Sequence, residues 1–212
     1  PLQNTLRRLL RHRSAQAGLA ILGFLVFVAV FAPVLAPYDP VKVLKDVKRR
    51  SPPCIHLLGC PADMPEHFFG IDGNSRDMLS RIIYGSQLSL EIGIATVTFA
   101  IVTGAALGAV AGYAGGWADN ILMRLMDVLL AFPALLLAIA IVSVLGTGLL
   151  NAQLAIGIVA IPIYSRIMRA SVISIRERDF VTASRALGES SLGLLGRRII
   201  PNALTPLIVQ GT

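Results

Sequence analysis

Gln87-Leu-Ser-Leu-Glu-Ile-Gly-Ile-Ala-Thr-Val-Thr-Phe-Ala-Ile-Val-Thr-Gly-Ala-Ala-Leu-Gly-Ala-Val-Ala-Gly-Tyr113 is the stretch that decides the fold. A helix needs about 20 predominantly apolar residues to cross a bilayer, and this run exceeds that. It is too long for a strand and shows no two-residue alternation. In lipid every backbone amide must find its partner within the segment, so the run is expected to be helical. Gly104, Gly108 and Gly112 recur every four residues along one face. Small residues at that spacing let two helices approach closely, which is a packing role rather than a ligand-binding one.

Similar runs lie on either side. An apolar segment over 16–36 follows the basic cluster Arg7, Arg8, Arg11, His12 and Arg13. A signal peptide has the same order of parts, but its apolar core is shorter, so an uncleaved first span is expected. Further spans are expected over 120–145 and 151–173, with Pro133 and Pro162 inside them and short glycine-rich turns between. Pro133 should kink its helix or free a carbonyl. The composition agrees: 55% of the 212 residues are hydrophobic, only 15% are charged, and mean hydropathy is +0.72. A soluble domain carries nearer 25% charged residues. The net charge of +7 would suit a nucleic-acid binder, but the arginines flank apolar spans, as in membrane proteins.

The expected organisation is a cytoplasmic segment 1–15, a first transmembrane helix 16–36, an external loop 37–86, and a core 87–212. The core holds spans 87–113, 120–145 and 151–173, a cytoplasmic loop 174–202 and the start of another span at 203–212. That last run is too short to cross, so the chain is expected to be a fragment truncated in its fifth span. The fold class is an all-α polytopic helix bundle with a cytoplasmic N-terminus. Twelve of the sixteen arginines then lie at or near cytoplasmic ends, in line with the positive-inside rule. Loop 37–86 is punctuated by prolines and runs against that rule, with seven basic residues offset by six acidic ones.

Cys54 and Cys60 are the only cysteines, both in that loop. In an oxidising compartment a disulfide between them is favoured. Zinc binding with His56 and His67 nearby, or two free thiols, are the alternatives. Arg124 and Asp127 lie three apart on one helix face and can pair as a structural couple. Glu91 marks the outer end of its span, and Thr96, Thr103 and Gln153 are polar enough to line a pathway; substrate-binding residues are otherwise unassigned. The three histidines, His12, His56 and His67, form no nucleophile or metal pattern, so no catalytic residue is expected.

The cytoplasmic segment Phe180-Val-Thr-Ala-Ser-Arg-Ala-Leu-Gly188 carries the functional signal. A short helix should end at Gly188, which can take the left-handed conformation of a helix stop. A second amphipathic stretch, Leu192 to Ile200, follows, and Pro201 fits the first turn of the next helix. Such an element can project from the bilayer and dock on a soluble partner. Arg185, Arg197 and Arg198 are either partner contacts or positive-inside anchors.

This segment resembles the EAA loop of ABC importer permeases: Thr182-Ala183-Ser184, then Gly188, then Arg198-Ile199-Ile200-Pro201. Thr182 stands where the family has an acid and Ser184 where it has the second alanine. His67 to Arg81, Gly115-Gly116-Trp117, Arg124 to Pro133 and Ile199 to Pro206 resemble further motifs of the dipeptide/oligopeptide branch. The likeness covers nearly all of the chain apart from roughly 41–62.

The resemblance implies a permease subunit for dipeptides or oligopeptides in the cytoplasmic (inner) membrane. It implies a second permease subunit, expected to pair with this one as a heterodimer, two ATP-binding subunits and an external substrate-binding protein. Phe180, Thr182, Ala183, Ser184, Arg185, Gly188, Ile199 and Pro201 would couple to the ATPase. ATP and magnesium would sit in the partner subunits, with no cofactor or metal on this chain, which shows no phosphate-binding loop. Membrane lipid is expected as a contact and nucleic acid is not. Nickel, glutathione or another small solute is the alternative cargo. An ion-coupled transporter, which would place ionisable groups at mid-depth, and a membrane scaffold are the rival classes.

Overall fold

The computed structural model describes residues 13–45, 47–61 and 63–211; most of the expected cytoplasmic segment 1–15 and the final Thr212 lie outside these. The described residues form helices and turns, with two isolated β-bridges and no longer strand among them. Two compact units divide the chain, one up to Ile92 and one from Gly93. Three helices are long and apolar enough to cross a bilayer, and a bent pair supplies a fourth candidate.

In the first unit, α1 (Arg13–Val30) is 18 residues long and buries only Ala29. A helix apolar on every side and unburied by its own chain is suited to lipid. The short α2 (Ala32–Leu35) follows, with Pro33 at its start. The loop after it folds back on the first turns of α3 (Met78–Ala114), a helix of 37 residues. The helix therefore begins at Met78, where the sequence placed the loop's end at 86. Asp77 explains the early start. Its carboxylate accepts the Ser80 N–H at 2.8 Å and the Ser80 hydroxyl at 2.7 Å, which satisfies donors at the helix N-terminus. The other Asp77 oxygen accepts from His67 Nδ1 at 2.9 Å.

Around this group the loop is closed by polar bonds. The Tyr38 N–H donates to Ser80 Oγ (3.0 Å), and its hydroxyl donates to the Glu66 carbonyl (2.9 Å). Its ring lies 4.8 Å from the His67 ring. Burial pushes the Tyr38 hydroxyl pKa up, helped by the negative charges of Asp77 and Glu66. Burial acts to raise the Asp72 carboxyl as well, but the N–H groups of Arg76 and Asn74 and the Arg76 guanidinium outweigh it and hold the carboxyl below its usual value. Gly70 has φ +75, and a Cβ there would stand 2.5 Å from the Ser51 carbonyl. Cys54 and Cys60 form a disulfide with Cα atoms 5.3 Å apart. Both thiols are consumed, so neither is free to bind zinc.

In the second unit, α3 lies against α6 (Leu149–Arg176, 28 residues) along its glycine face. A Cβ on Gly104 would meet the Ile161 carbonyl at 2.9 Å, one on Gly108 the Ser165 carbonyl at 2.2 Å, and one on Gly112 the Arg169 carbonyl at 2.8 Å. The stripe is thus a backbone-to-backbone seam. Pro162 is buried in α6, and the helix runs on past it.

The span expected over 120–145 is two helices. α4 (Gly116–Leu130) and α5 (Ala134–Leu145) are bent by 95° at the break between them. Pro133 has no N–H to donate and disfavours a helical Phe132. Its own backbone is extended, with ψ 128, so the expected kink is a full corner.

Candidate functional site

Three short elements follow α6. α7 (Asp179–Ala186) is eight residues long, with Asp179 in its first turn and Arg185 in its last. Both charges oppose the helix macrodipole at their ends, which favours the helix. α8 (Ser191–Gly193) is capped by the Ser190 hydroxyl, which accepts from the Gly193 N–H at 3.2 Å. A π-turn, Leu194–Ile199, then leads without a gap into α9 (Ile200–Gly211).

Gly188 stops α7 as its composition suggests. Its φ is +85. Its N–H donates to the Arg185 carbonyl (3.0 Å), and the Glu189 N–H reaches back to Ser184 (3.1 Å). This pair of bonds satisfies carbonyls the helix end would leave open, and it needs a left-handed residue at that place. A Cβ at Gly188 would touch nothing within 4 Å. The requirement is therefore backbone conformation and not space.

Val181, Leu194 and Ile199 are fully buried, in one cluster with Met168 and Val172 of α6 and Ala203 and Leu207 of α9. These side chains hold the segment to the helix bundle. Full burial of a Val or Leu side chain stabilises by about 1.5–3 kcal/mol. Phe180, Thr182, Ala183 and Arg185 remain exposed, Ser184 is half-buried, and Leu187 and Leu192 are 89% and 83% exposed. Glu189 and Arg198 form an ion pair at 3.1 Å. Arg185 and Arg197 are exposed and make no ion pair among the described residues.

The structure thus separates the residues that the sequence grouped. Phe180, Thr182, Ala183 and Arg185 lie on the open face, beside the helix stop at Gly188. Ile199 does not: it is a core residue, because the π-turn inserts an extra residue and rotates it inward. Pro201 is exposed in the first turn of α9. The Ile200 N–H reaches the Leu195 carbonyl across that wider turn, and the Asn202 side chain donates to Arg198 at 2.6 Å. Val181 and Leu194 were not singled out from sequence. Their signal was an apolar residue on an otherwise polar helix face.

Next to this segment, Arg176 donates to the carbonyls of Gly112 and Tyr113 (both 3.2 Å), capping α3. Tyr113, Arg176, Glu177, Thr182, Arg185 and Ser191 line a polar cleft of about 590 Å³.

The expected Arg124–Asp127 couple does not form. Asp127 pairs with Arg166 of α6 at 2.6 Å, and Asp119 takes Arg169 through both carboxylate oxygens at 2.5 and 2.6 Å. The packing of α4 on α6 brings in guanidiniums from outside the helix, and Arg124 is left exposed. Of the polar pathway candidates, Thr96 is buried, while Thr103 and Gln153 are half-buried and Glu91 is exposed.

The sequence of this chain is similar to those of known proteins. Residues 104–211 match the family described as binding-protein-dependent transport system inner membrane component. Residues 1–53 match the N-terminal TM domain of oligopeptide transport permease C. A dipeptide transport system permease protein of Alkalihalophilus pseudofirmus is 41% identical over 212 residues, all of this chain and 66% of its own. A di/tripeptide transport system permease protein of Pseudomonas aeruginosa is also 41% identical, over all of this chain and 68% of its own. A glutathione transport system permease protein of Escherichia coli is 34% identical over 96% of this chain and 64% of its own. The chain therefore spans about two thirds of the length of the curated relatives it matches.

Proposed function

The chain belongs to the family of binding-protein-dependent transport inner membrane components, and we propose that it is one permease subunit of an ATP-driven importer of dipeptides or short oligopeptides. The observation that carries the coupling role is the geometry of 179–189. α7 turns an open face of Phe180, Thr182, Ala183 and Arg185 outward, is anchored through Val181, and is stopped by a left-handed Gly188. A short helix held from below and bare above is shaped to sit in a groove of another subunit.

In this reading two ATP-binding subunits lie on the cytoplasmic side, a second permease subunit completes the pathway, and an external binding protein delivers the peptide. ATP and magnesium belong to the partner subunits. Closure of the ATPase pair would pull on α7, and through Val181, Leu194 and Ile199 on the helices of the bundle. Such a switch works only if the two states differ in their contacts with ATP-bound and ATP-free partners. The N-terminus and 174–202 lie in the cytoplasm and the loop before α3 lies outside. The arginine distribution supports that orientation, and so does the disulfide, since such bonds persist in oxidising compartments. Peptide cargo is favoured over glutathione by the higher identity of the peptide-transport relatives.

The test is co-expression with the neighbouring ATPase and permease genes and capture on a tag carried by this chain. A complex that forms with the wild type and weakens with Gly188→Val, at equal membrane insertion, supports the coupling site. Uptake of labelled dipeptide, with nickel and glutathione as competitors, then fixes the cargo. Peptide uptake that needs no ATPase, driven instead by an ion gradient, would overturn the reading.

A further inference from the structure

Loop 37–77 carries a feature that coupling and translocation do not use. Leu57 and Leu58 stand at the tip of the turn Cys54–Cys60 and are 96% and 81% exposed. Two adjacent leucines in water are ordinarily free to collapse onto their own chain. Here they are held out. The disulfide closes the base of the turn. Gly59, with φ +97, ends the single 3₁₀ turn His56–Leu58. Below the base, Cys54 and His67 exchange both backbone hydrogen bonds, at 3.0 and 2.8 Å. The His56 N–H donates to Glu66 at 2.8 Å, and its ring Nε2 lies 2.8 Å from the Met64 carbonyl. A tip fixed in advance loses little conformational freedom on binding, which is what a recognition element requires.

The arm that leads into this turn is cationic. Lys42, Lys45, Lys48, Arg49 and Arg50 are all exposed, and none forms an ion pair among the described residues. Asp46 is the one carboxylate in that stretch of sequence. The arm is tied down at Leu44, whose N–H donates to Ser75 (2.8 Å), and at Arg50, whose N–H donates to Asp72 (3.2 Å).

We propose that the disulfide-closed turn is a docking knob for the external substrate-binding protein, received by an apolar socket with an acidic rim. The inference rests on the importer reading given above. An apolar anchor fully withdrawn from water with charges around it is the usual anatomy of a strong contact, and the flanking cations steer the approach. A protein suits the knob better than lipid does. The first turns of α3 carry Arg81, Ser86, Gln87, Ser89 and Glu91, and the charge-free stretch begins only at Ile92. On this side the loop is joined to polar helix rather than to a charge-free apolar run. Elements that lie on membranes also use a long amphipathic face, not a two-residue tip.

The experiment uses the assembled importer in nanodiscs of neutral lipid, titrated with its peptide-loaded binding protein while ATP hydrolysis is followed. Leu57→Ser/Leu58→Ser should raise the half-stimulating concentration about tenfold, the effect of one strong interface contact. The unstimulated rate and the maximal rate should stay at wild-type values, and Leu57→Ile/Leu58→Ile should restore wild-type behaviour. Replacing Lys42, Lys45 and Lys48 with Gln should flatten the salt dependence of that concentration. An unchanged half-stimulating concentration in the serine variant overturns the knob while leaving the importer reading intact. Loss of flotation with anionic phospholipid vesicles, with stimulation unchanged, would make lipid the occupant and also overturn it. Failure of the binding protein to stimulate even the wild type would instead strike the importer reading.

Discussion

Loop 37–77, largely irregular, and segment 177–199, a run of short helical turns, both connect longer helices, yet they are held by different means. The loop is held by directional bonds: a disulfide, the Asp77 carboxylate with three donors, and a carboxylate at Asp72 ringed by Arg76, Arg81 and two N–H groups. The segment is held chiefly by three buried apolar side chains and one glycine turn, with only the Ser190 cap and the Glu189–Arg198 pair as polar ties among its own side chains. A hydrogen-bonded knot resists rearrangement because each buried donor needs its one acceptor. An apolar anchor tolerates small sliding, since burial has no direction. The loop is built to keep its shape, and the segment is built to transmit a pull.

Substitutions can break or sharpen that contrast. The largest effect is expected at Asp77→Ala, which strands His67 Nδ1 and the Ser80 N–H and hydroxyl. At about 1–3 kcal/mol per buried unsatisfied group, partly relieved by water, the loss is about 4 kcal/mol. Hydrogen exchange should show the amides of loop 37–77 opening while those of α7 keep their protection; equal loosening of both regions would erase the contrast. Leu194→Ala should cost about 3 kcal/mol through lost burial and a cavity. Limited proteolysis should then cut near α7 and spare the loop.

A smaller change, about 2 kcal/mol, is expected for Cys54→Ser/Cys60→Ser, because the closed ring is short. The tip should become a protease site with the Asp77 group still intact. Gly188→Ala should cost about 1 kcal/mol, the strain of a left-handed L-residue with no steric clash added. Gly188→Asn should fall between Gly and Ala, as Asn tolerates that conformation. Equal thermal shifts for Ala and Asn would argue against backbone strain as the cause.

The weakest effect is the pH response of Asp72. Its pKa is depressed in the folded chain, so its contribution is fully present above the unfolded value of about 4. That contribution fades as pH falls through the lower folded value. Loop protection should decline in that acid window for the wild type and much less for Asp72→Asn.

Much of the fold was legible because bilayer spans and glycine stripes are local patterns. Gly104, Gly108 and Gly112 announced a close helix partner, and the structure supplies α6. Gly188 was legible for the same reason: a helix stop is written within a few residues. The illegible parts depend on distance along the chain. Tyr38 and Ser80 meet across 42 positions, and Asp127 reaches Arg166 across 39. A rule for residues three apart saw only Arg124. The π-turn moved Ile199 from the expected docking face into the core, and no local pattern marks such a turn. The corner at Pro133 was half-legible, since a proline signals a break but not its 95° angle.

The seam between α3 and α6 limits how this protein can move. Where a Cβ on Gly108 would fall 2.2 Å from a carbonyl oxygen, a roll or slip that carried a residue with a side chain into that place would be blocked by the facing backbone. The two behave as one girder. Motion in a machine containing it must come from the pivoting of that girder as a whole, or from bending at corners such as the one before α5.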